Sequence, residues 1–168
     1  MRLGPSLPAL AGAIFVFGAA TAASVSAAPP DDACLFLTQA QLTSVLGVAV
    51  GAGTHTTPEY VKTCTWALPG DSARRVQYLT LSFQLGPRYA VAKRTMDQMM
   101  PRLKVKSSVT AASGIGDDAY YTVMASSYTA LNVAKGSVAF KVAMYGDFPT
   151  NKVEAMEKTL ALQVLSKL

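Results

Sequence analysis

The chain has 168 residues, 51% of them hydrophobic, and a formal net charge of +5, which is enough sequence for one domain to hold a core without a metal staple. A single histidine and two cysteines exclude the His-rich and Cys-rich ligand sets of ordinary zinc sites. No DNA- or RNA-binding motif accompanies the positive charge, so the basic balance points away from nucleic acid and toward anionic partners of other kinds.

Arg2 and the amino terminus make a short positive segment closed by Pro8, and an uncharged apolar run follows from Ala9 to Ala23. Val25-Ser26-Ala27 then places small residues where a signal peptidase needs them, so residues 1–27 read as a secretory signal cut after Ala27 or after Ala28. The run is rich in Ala and Gly and short for a ~30 Å hydrocarbon core, unlike a retained anchor. The expectation is an exported protein, periplasmic or secreted, with no stable membrane span after cleavage. Residues 28–33, with Pro29 and Pro30, form a stiff spacer into a single domain over residues 34–168. Cys34 follows Asp31-Asp32-Ala33, which is not the small apolar approach that a lipid-accepting cysteine requires.

An even cysteine count in an exported chain predicts a Cys34–Cys64 disulfide. Neither a Cys-x-x-Cys motif nor an electropositive flank marks either residue as a reactive thiol. Thr38-Gln39-Ala40-Gln41 reads as a capping box for a helix with Leu42, Val45 and Leu46 on its apolar face, ended by Gly47. Tyr60–Leu68 alternates, with Cys64, Trp66 and Leu68 on one face, and Trp66 is expected in the core beside the bridge. Arg75–Leu85 alternates again, with Leu79, Leu81, Phe83 and Leu85 inward. Gly86-Pro87 opens a second helix running to Met100, whose stripe of Tyr89, Ala92, Met96, Met99 and Met100 is expected to be core. Ala119–Met124, Tyr128–Ala134 and Ser137–Tyr145 read as strands joined by short hairpins at Ala125-Ser126-Ser127 and Lys135-Gly136. Thr150 or Asn151 is expected to cap a final helix carrying Val153, Met156, Leu160, Val164 and Leu168. Strands joined by hairpins and interleaved with helices predict an α+β domain: an antiparallel sheet of about six strands with three helices packed against it.

Cys34-Leu35-Phe36-Leu37-Thr38 entering a short helix, the pair Cys64-Thr65-Trp66, and Gly114-Ile115-Gly116-Asp117-Asp118-Ala119-Tyr120 opening a hairpin together give a resemblance over most of residues 34–168. The chain resembles a group of uncharacterised exported bacterial domains, many of them actinobacterial lipoproteins, and more remotely the PsbP-like α+β fold. The resemblance implies the fold and the compartment, and it implies no catalytic residues. The lipid-accepting cysteine of that group is missing here, so membrane tethering is not implied.

The chemistry-bearing motifs are few. His55, in Thr54-His55-Thr56-Thr57-Pro58, reads as an exposed loop histidine without ligand partners. Gly70-Asp71-Ser72 is turn chemistry, with His55 upstream where a serine hydrolase of that kind needs its base downstream. Gly114-Ile115-Gly116 precedes a strand rather than a helix, and the side chains of Asp117 and Asp118 are expected to diverge, so neither a phosphate loop nor a cation site is expected. No catalytic residue, metal site or cofactor is assigned.

Charge is the uneven feature. Residues 28–73 carry Lys62 against Asp31, Asp32, Glu59 and Asp71, whereas residues 74–106 carry eight basic side chains against Asp97 alone. Arg88, Lys93, Arg94, Arg102, Lys104 and Lys106 are therefore the candidate surface for an anionic envelope component or an acidic protein. The function expected is a non-enzymatic binding or accessory domain. The alternatives are a small periplasmic hydrolase or transferase using carboxylates and tyrosines that only the fold brings together, and a purely structural subunit.

Overall fold

The computed structural model describes residues 28–57, 59, 62–70, 77–103, 106–125 and 127–168. Residues 1–27, read above as a signal segment, and residues 58, 60–61, 71–76, 104–105 and 126 lie outside the described residues. No helix among the described residues is long and apolar enough to cross a membrane.

A 3₁₀ turn at Ala33–Leu35 leads into helix α1 (Gln39–Leu46). The Thr38 hydroxyl accepts the Gln41 amide, the Gln41 side chain accepts the Thr38 amide in return, and Gly47 closes the helix in the left-handed region at φ +69°. Strands β1 (Thr54–His55), β2 (Thr63–Leu68) and β3 (Gln77–Leu85) follow, then helix α2 (Gly86–Met99) with a 3₁₀ turn at Met100–Arg102. Strands β4 (Ser107–Ala111), β5 (Asp118–Met124), β6 (Tyr128–Lys135) and β7 (Val138–Tyr145) precede helix α3 (Thr150–Leu165). The seven strands form one antiparallel sheet in the order β1-β2-β3-β7-β6-β5-β4. The α+β single domain is as predicted. The sheet has seven strands where about six were expected; its two edges, β1 and β4, were not read from the sequence because they are short and polar and bury too little to show an apolar alternation.

Register sorts the side chains onto two faces. Cys64, Leu81, Val142 and Leu131 align across the sheet, as do Trp66, Leu79 and Met144, and as do Phe83, Phe140 and Val133. On this face α3 lays down Val153, Leu160, Ala161 and Val164, while α1 and the segment before it add Leu37, Leu42 and Leu46. Trp66 is 1% exposed, beside the Cys34–Cys64 disulfide that ties the first 3₁₀ turn to β2. The opposite face aligns Thr65, Thr80, Ala143, Ala130 and Thr122 in one row. Tyr78, Tyr145 and Tyr128 make the next row, and helix α2 packs on this side.

Three expectations about the helices are corrected. Helix α3 ends at Leu165 and leaves Leu168 outside it, 44% exposed. The N-cap of α3 is Pro149, without a side-chain hydrogen bond, and Thr150 is already helical. The Pro149 carbonyl accepts the amides of both Lys152 and Val153, so the turn starts one residue earlier than a Thr or Asn cap would set it. In α2 the methionine stripe divides: Tyr89 and Met100 are buried and Met96 is half-buried, but Met99 is 48% exposed.

The candidate surface on helix α2

Helix α2 is held to the sheet by its inner side. The Tyr89 ring packs against Tyr120 at 5.5 Å between centroids, next to Ala139. One turn on, Lys93 Nζ donates to Asp118 Oδ1 at 2.9 Å and Oδ2 at 2.6 Å, and lies 5.6 Å over the Tyr120 ring. The Lys93 ammonium holds the Asp118 carboxyl below the usual range. Burial first, and the neighbouring Asp118 carboxylate second, push the Tyr89 phenol up.

These contacts leave the outer side of α2 to solvent. Arg88, Val91 and Arg94 recur at three-residue spacing and are all exposed, Val91 at 55%. Arg102, Met99 and Leu103 are also exposed, at the end of α2 and in the turn that follows it. Among the described residues none of the three arginines makes an ion pair, and the Arg94 Nε donates only to the Ala90 carbonyl of its own helix at 3.4 Å. Of the six basic residues predicted as one surface, Arg88, Arg94 and Arg102 are exposed and unpaired along the helix and its terminal turn, and Lys106 is exposed at the start of β4. Lys104 is outside the described residues. Lys93 is committed to Asp118 and belongs to the anchor rather than to the surface.

Asp117 and Asp118 diverge as expected: Asp117 pairs with Lys135 at 2.9 Å and accepts the Gly136 amide, while Asp118 faces α2. Asp117 is held below its ordinary range by the Gly136 amide first and Lys135 second.

Several polar side chains on the sheet were not singled out in advance. Lys141 stands on the α2 side of β7, where burial lowers its pKa. Asn132 beside it is 7% exposed and donates to the Thr122 hydroxyl at 3.4 Å. Tyr78 stacks on Tyr145 at 4.3 Å, with Tyr128 at 4.8 Å on the same ring. Each occupies a position that alternates with core residues along its strand, a pattern that marks the second face but not its burial.

His55 corrects another expectation. It is partly buried on edge strand β1 rather than exposed in a loop, because it pairs directly opposite Cys64. Asp32, Cys34 and His55 bring ligand-type atoms within 4.8 Å of one another. The Cys34 sulfur is engaged in the disulfide, so the group does not offer a thiolate to a metal as it stands.

Two surface depressions among the described residues open to solvent. One is lined by Lys106, Ser107, Ser108, Val123, Ala125 and Thr150, another by Ser44, Val45, Lys152, Ala155, Met156 and Thr159. Neither gathers a histidine, a carboxylate or a thiol. Comparison with family models, curated proteins and solved structures returns no match to this chain.

Proposed function

We propose that the chain is an exported, non-enzymatic binding domain of the cell envelope that meets an anionic lipid surface through the outer side of α2. One observation carries the reading: three unpaired arginines, Arg88, Arg94 and Arg102, and three large apolar side chains, Val91, Met99 and Leu103, are all exposed along α2 and the turn that follows it. A solvated helix face that serves solubility alone interleaves charges of both signs and has no need of exposed large aliphatic side chains. Cations flanking an apolar ridge suit a headgroup layer, where the charges meet phosphate and the ridge enters the acyl boundary. The disulfide suits an oxidising compartment.

Co-sedimentation with phosphatidylglycerol vesicles and with phosphatidylcholine vesicles, each at low and physiological salt, tests it. The protein is expected to pellet with the anionic vesicles and to be released as salt rises, because exposed charges are screened beyond ~8–10 Å at physiological ionic strength. Charge reversal at Arg88 and Arg94 is expected to abolish pelleting, and Val91→Ser to weaken it at constant charge. A protein that stays in solution with both vesicles at both salts overturns the reading. Retention on immobilised polyglutamate without vesicle binding turns the same surface toward an acidic protein instead.

A further inference from the structure

The disulfide has a neighbourhood that a structural staple does not require. His55 Nδ1 lies 3.7 Å from Cys34 Sγ, and His55 Nε2 lies 3.5 Å from Asp32 Oδ2. The other oxygen of Asp32 accepts the Cys34 amide at 2.8 Å, which fixes the carboxylate beside the ring. The two sulfurs are unequally placed. Cys64 is 0% exposed under Trp66 and the loop entering β1, while Cys34 is only partly buried. Gly53 shows how close that loop lies: a Cβ there would stand 2.8 Å from Cys64 Sγ.

We propose that Cys34–Cys64 is an exchange-active redox pair, with Cys34 as the reacting sulfur, Cys64 as the buried resolving sulfur, His55 as the proton partner of Cys34 and Asp32 as the residue that positions His55. This inference is independent of the lipid-binding surface, which lies on the other side of the sheet.

The co-substrate is a peptide or protein dithiol. One of its thiolates attacks Cys34 Sγ; the bond between Cys34 and Cys64 breaks, and its electron pair departs on the Cys64 sulfur, which takes up a proton. The partner's second thiolate then attacks its own sulfur in the mixed disulfide, forming the partner's disulfide and expelling Cys34 as a thiolate facing His55. That thiolate takes up the second proton, shared with His55 Nδ1, so two electrons and two protons have passed from the partner dithiol to the chain. In the reverse direction Cys34 is the attacking thiolate. Asp32 beside Nε2 favours the ring proton at that nitrogen, which leaves Nδ1 to accept the Cys34 proton. A thiol beside a histidine is the arrangement that raises the thiolate fraction near neutrality. Neither His55 nor Asp32 is needed for a bridge that only restrains the chain.

The test isolates Cys34 in a Cys64→Ala protein and follows its reaction with an aromatic disulfide across pH. The His55→Asn change in that background is expected to slow the reaction at neutral pH by about tenfold, and to move the midpoint of the pH profile up to that of an ordinary thiol, about 8.5. Asp32→Asn keeps an oxygen for the Cys34 amide and removes the charge; it is expected to shift the same profile in the same direction by less, with the melting temperature little changed. Equal rates and midpoints with and without His55 overturn the proposal. A second measurement needs no cysteine variant: the disulfide-bonded protein is incubated with reduced glutathione, quenched with acid and mapped by mass spectrometry. Glutathione joined to Cys34, and not to the buried Cys64, in the folded protein is expected. An adduct that forms only in denaturant overturns it.

Discussion

The two faces of the sheet are built on different terms. On one, Trp66, Leu79, Leu81, Phe140 and Val142 meet α1 and α3 in a continuous apolar layer, and the disulfide crosses its edge. On the other, α2 rests on a two-tyrosine contact and a single lysine–carboxylate pair, over strands carrying threonines, Asn132 and Lys141. Apolar burial stabilises the first face in proportion to area. An ion pair as exposed as Lys93–Asp118 contributes little by comparison. The first face accordingly carries the stability of the domain, and the second presents a helix whose outer side is free to carry a surface property.

Trp66→Ala is the severest test of that division. It opens a cavity next to the bridge in the best-packed layer, and is expected to cost about 3–5 kcal/mol by denaturant unfolding. A loss under ~1 kcal/mol would mean that the first face is not the stabilising one.

Glu157 sharpens the contrast from within that face. It is fully buried on α3, and among the described residues the nearby Met144 amide is too poorly placed to make a full hydrogen bond to its carboxyl group. Burial pushes its pKa up to about 9, opposed by the nearby Met144 amide and reinforced by Glu154. The folded protein therefore holds this proton more tightly than the unfolded chain does. The associated stability is fully present below the ordinary value of 4.5 and is lost as pH rises to about 9. Glu157→Gln is expected to remove this slope, with no gain at acid pH and a gain on the order of 3 kcal/mol at the alkaline end. Parallel stability–pH curves for the two proteins would show that Glu157 is solvated.

The second face responds more weakly. Tyr89→Phe removes a buried hydroxyl whose one polar neighbour among the described residues, Asp118, is already held by Lys93, so thermal unfolding is expected to move by no more than about 1 kcal/mol, in either direction. Charge reversal at Arg88 and Arg94 touches only solvent-facing groups and is expected to change stability by about 0.5 kcal/mol or less, while vesicle binding is lost. A large stability loss from that pair would place the arginines in the packing rather than on a surface.

How much of this was legible depended on whether the information was local. Cys64, Trp66 and Leu68 alternate within one strand, and the burial of all three follows from that pattern. The Thr38 capping box and the turn glycines are equally local. Lys93 was misplaced on the candidate surface because its partner, Asp118, lies 25 residues away and reaches it only through the docking of α2. Met99 sits at the end of its stripe, where the helix tightens into a 3₁₀ turn and the helical period no longer predicts direction. His55 was read as a loop residue because its strand has two residues, too few for any periodicity. Its meeting with Cys34 and Asp32 comes from cross-strand pairing with Cys64, which no spacing within Thr54-His55-Thr56 encodes. The arginines of α2 were identifiable as charged, but their freedom from acidic partners is a property of the folded surface.

The join between β3 and β7 has a kinetic consequence. Strands β5, β6 and β7 form a meander whose partners are close in sequence, and β2 and β3 form another. The strip that unites them matches Tyr78 with Tyr145 and Leu85 with Val138, at the centre of the sheet. Closing so long a loop has an entropic cost that is met before the central ladder returns any stabilisation, and distant strand pairing of this sort makes folding slow. Until that ladder zips, each meander shows an unpaired apolar edge to its surroundings, the form in which β proteins associate wrongly. The newly made chain is thus most exposed to aggregation in the interval before its two halves meet. Refolding yield is expected to fall as chain concentration rises, and that dependence measures how long the interval lasts.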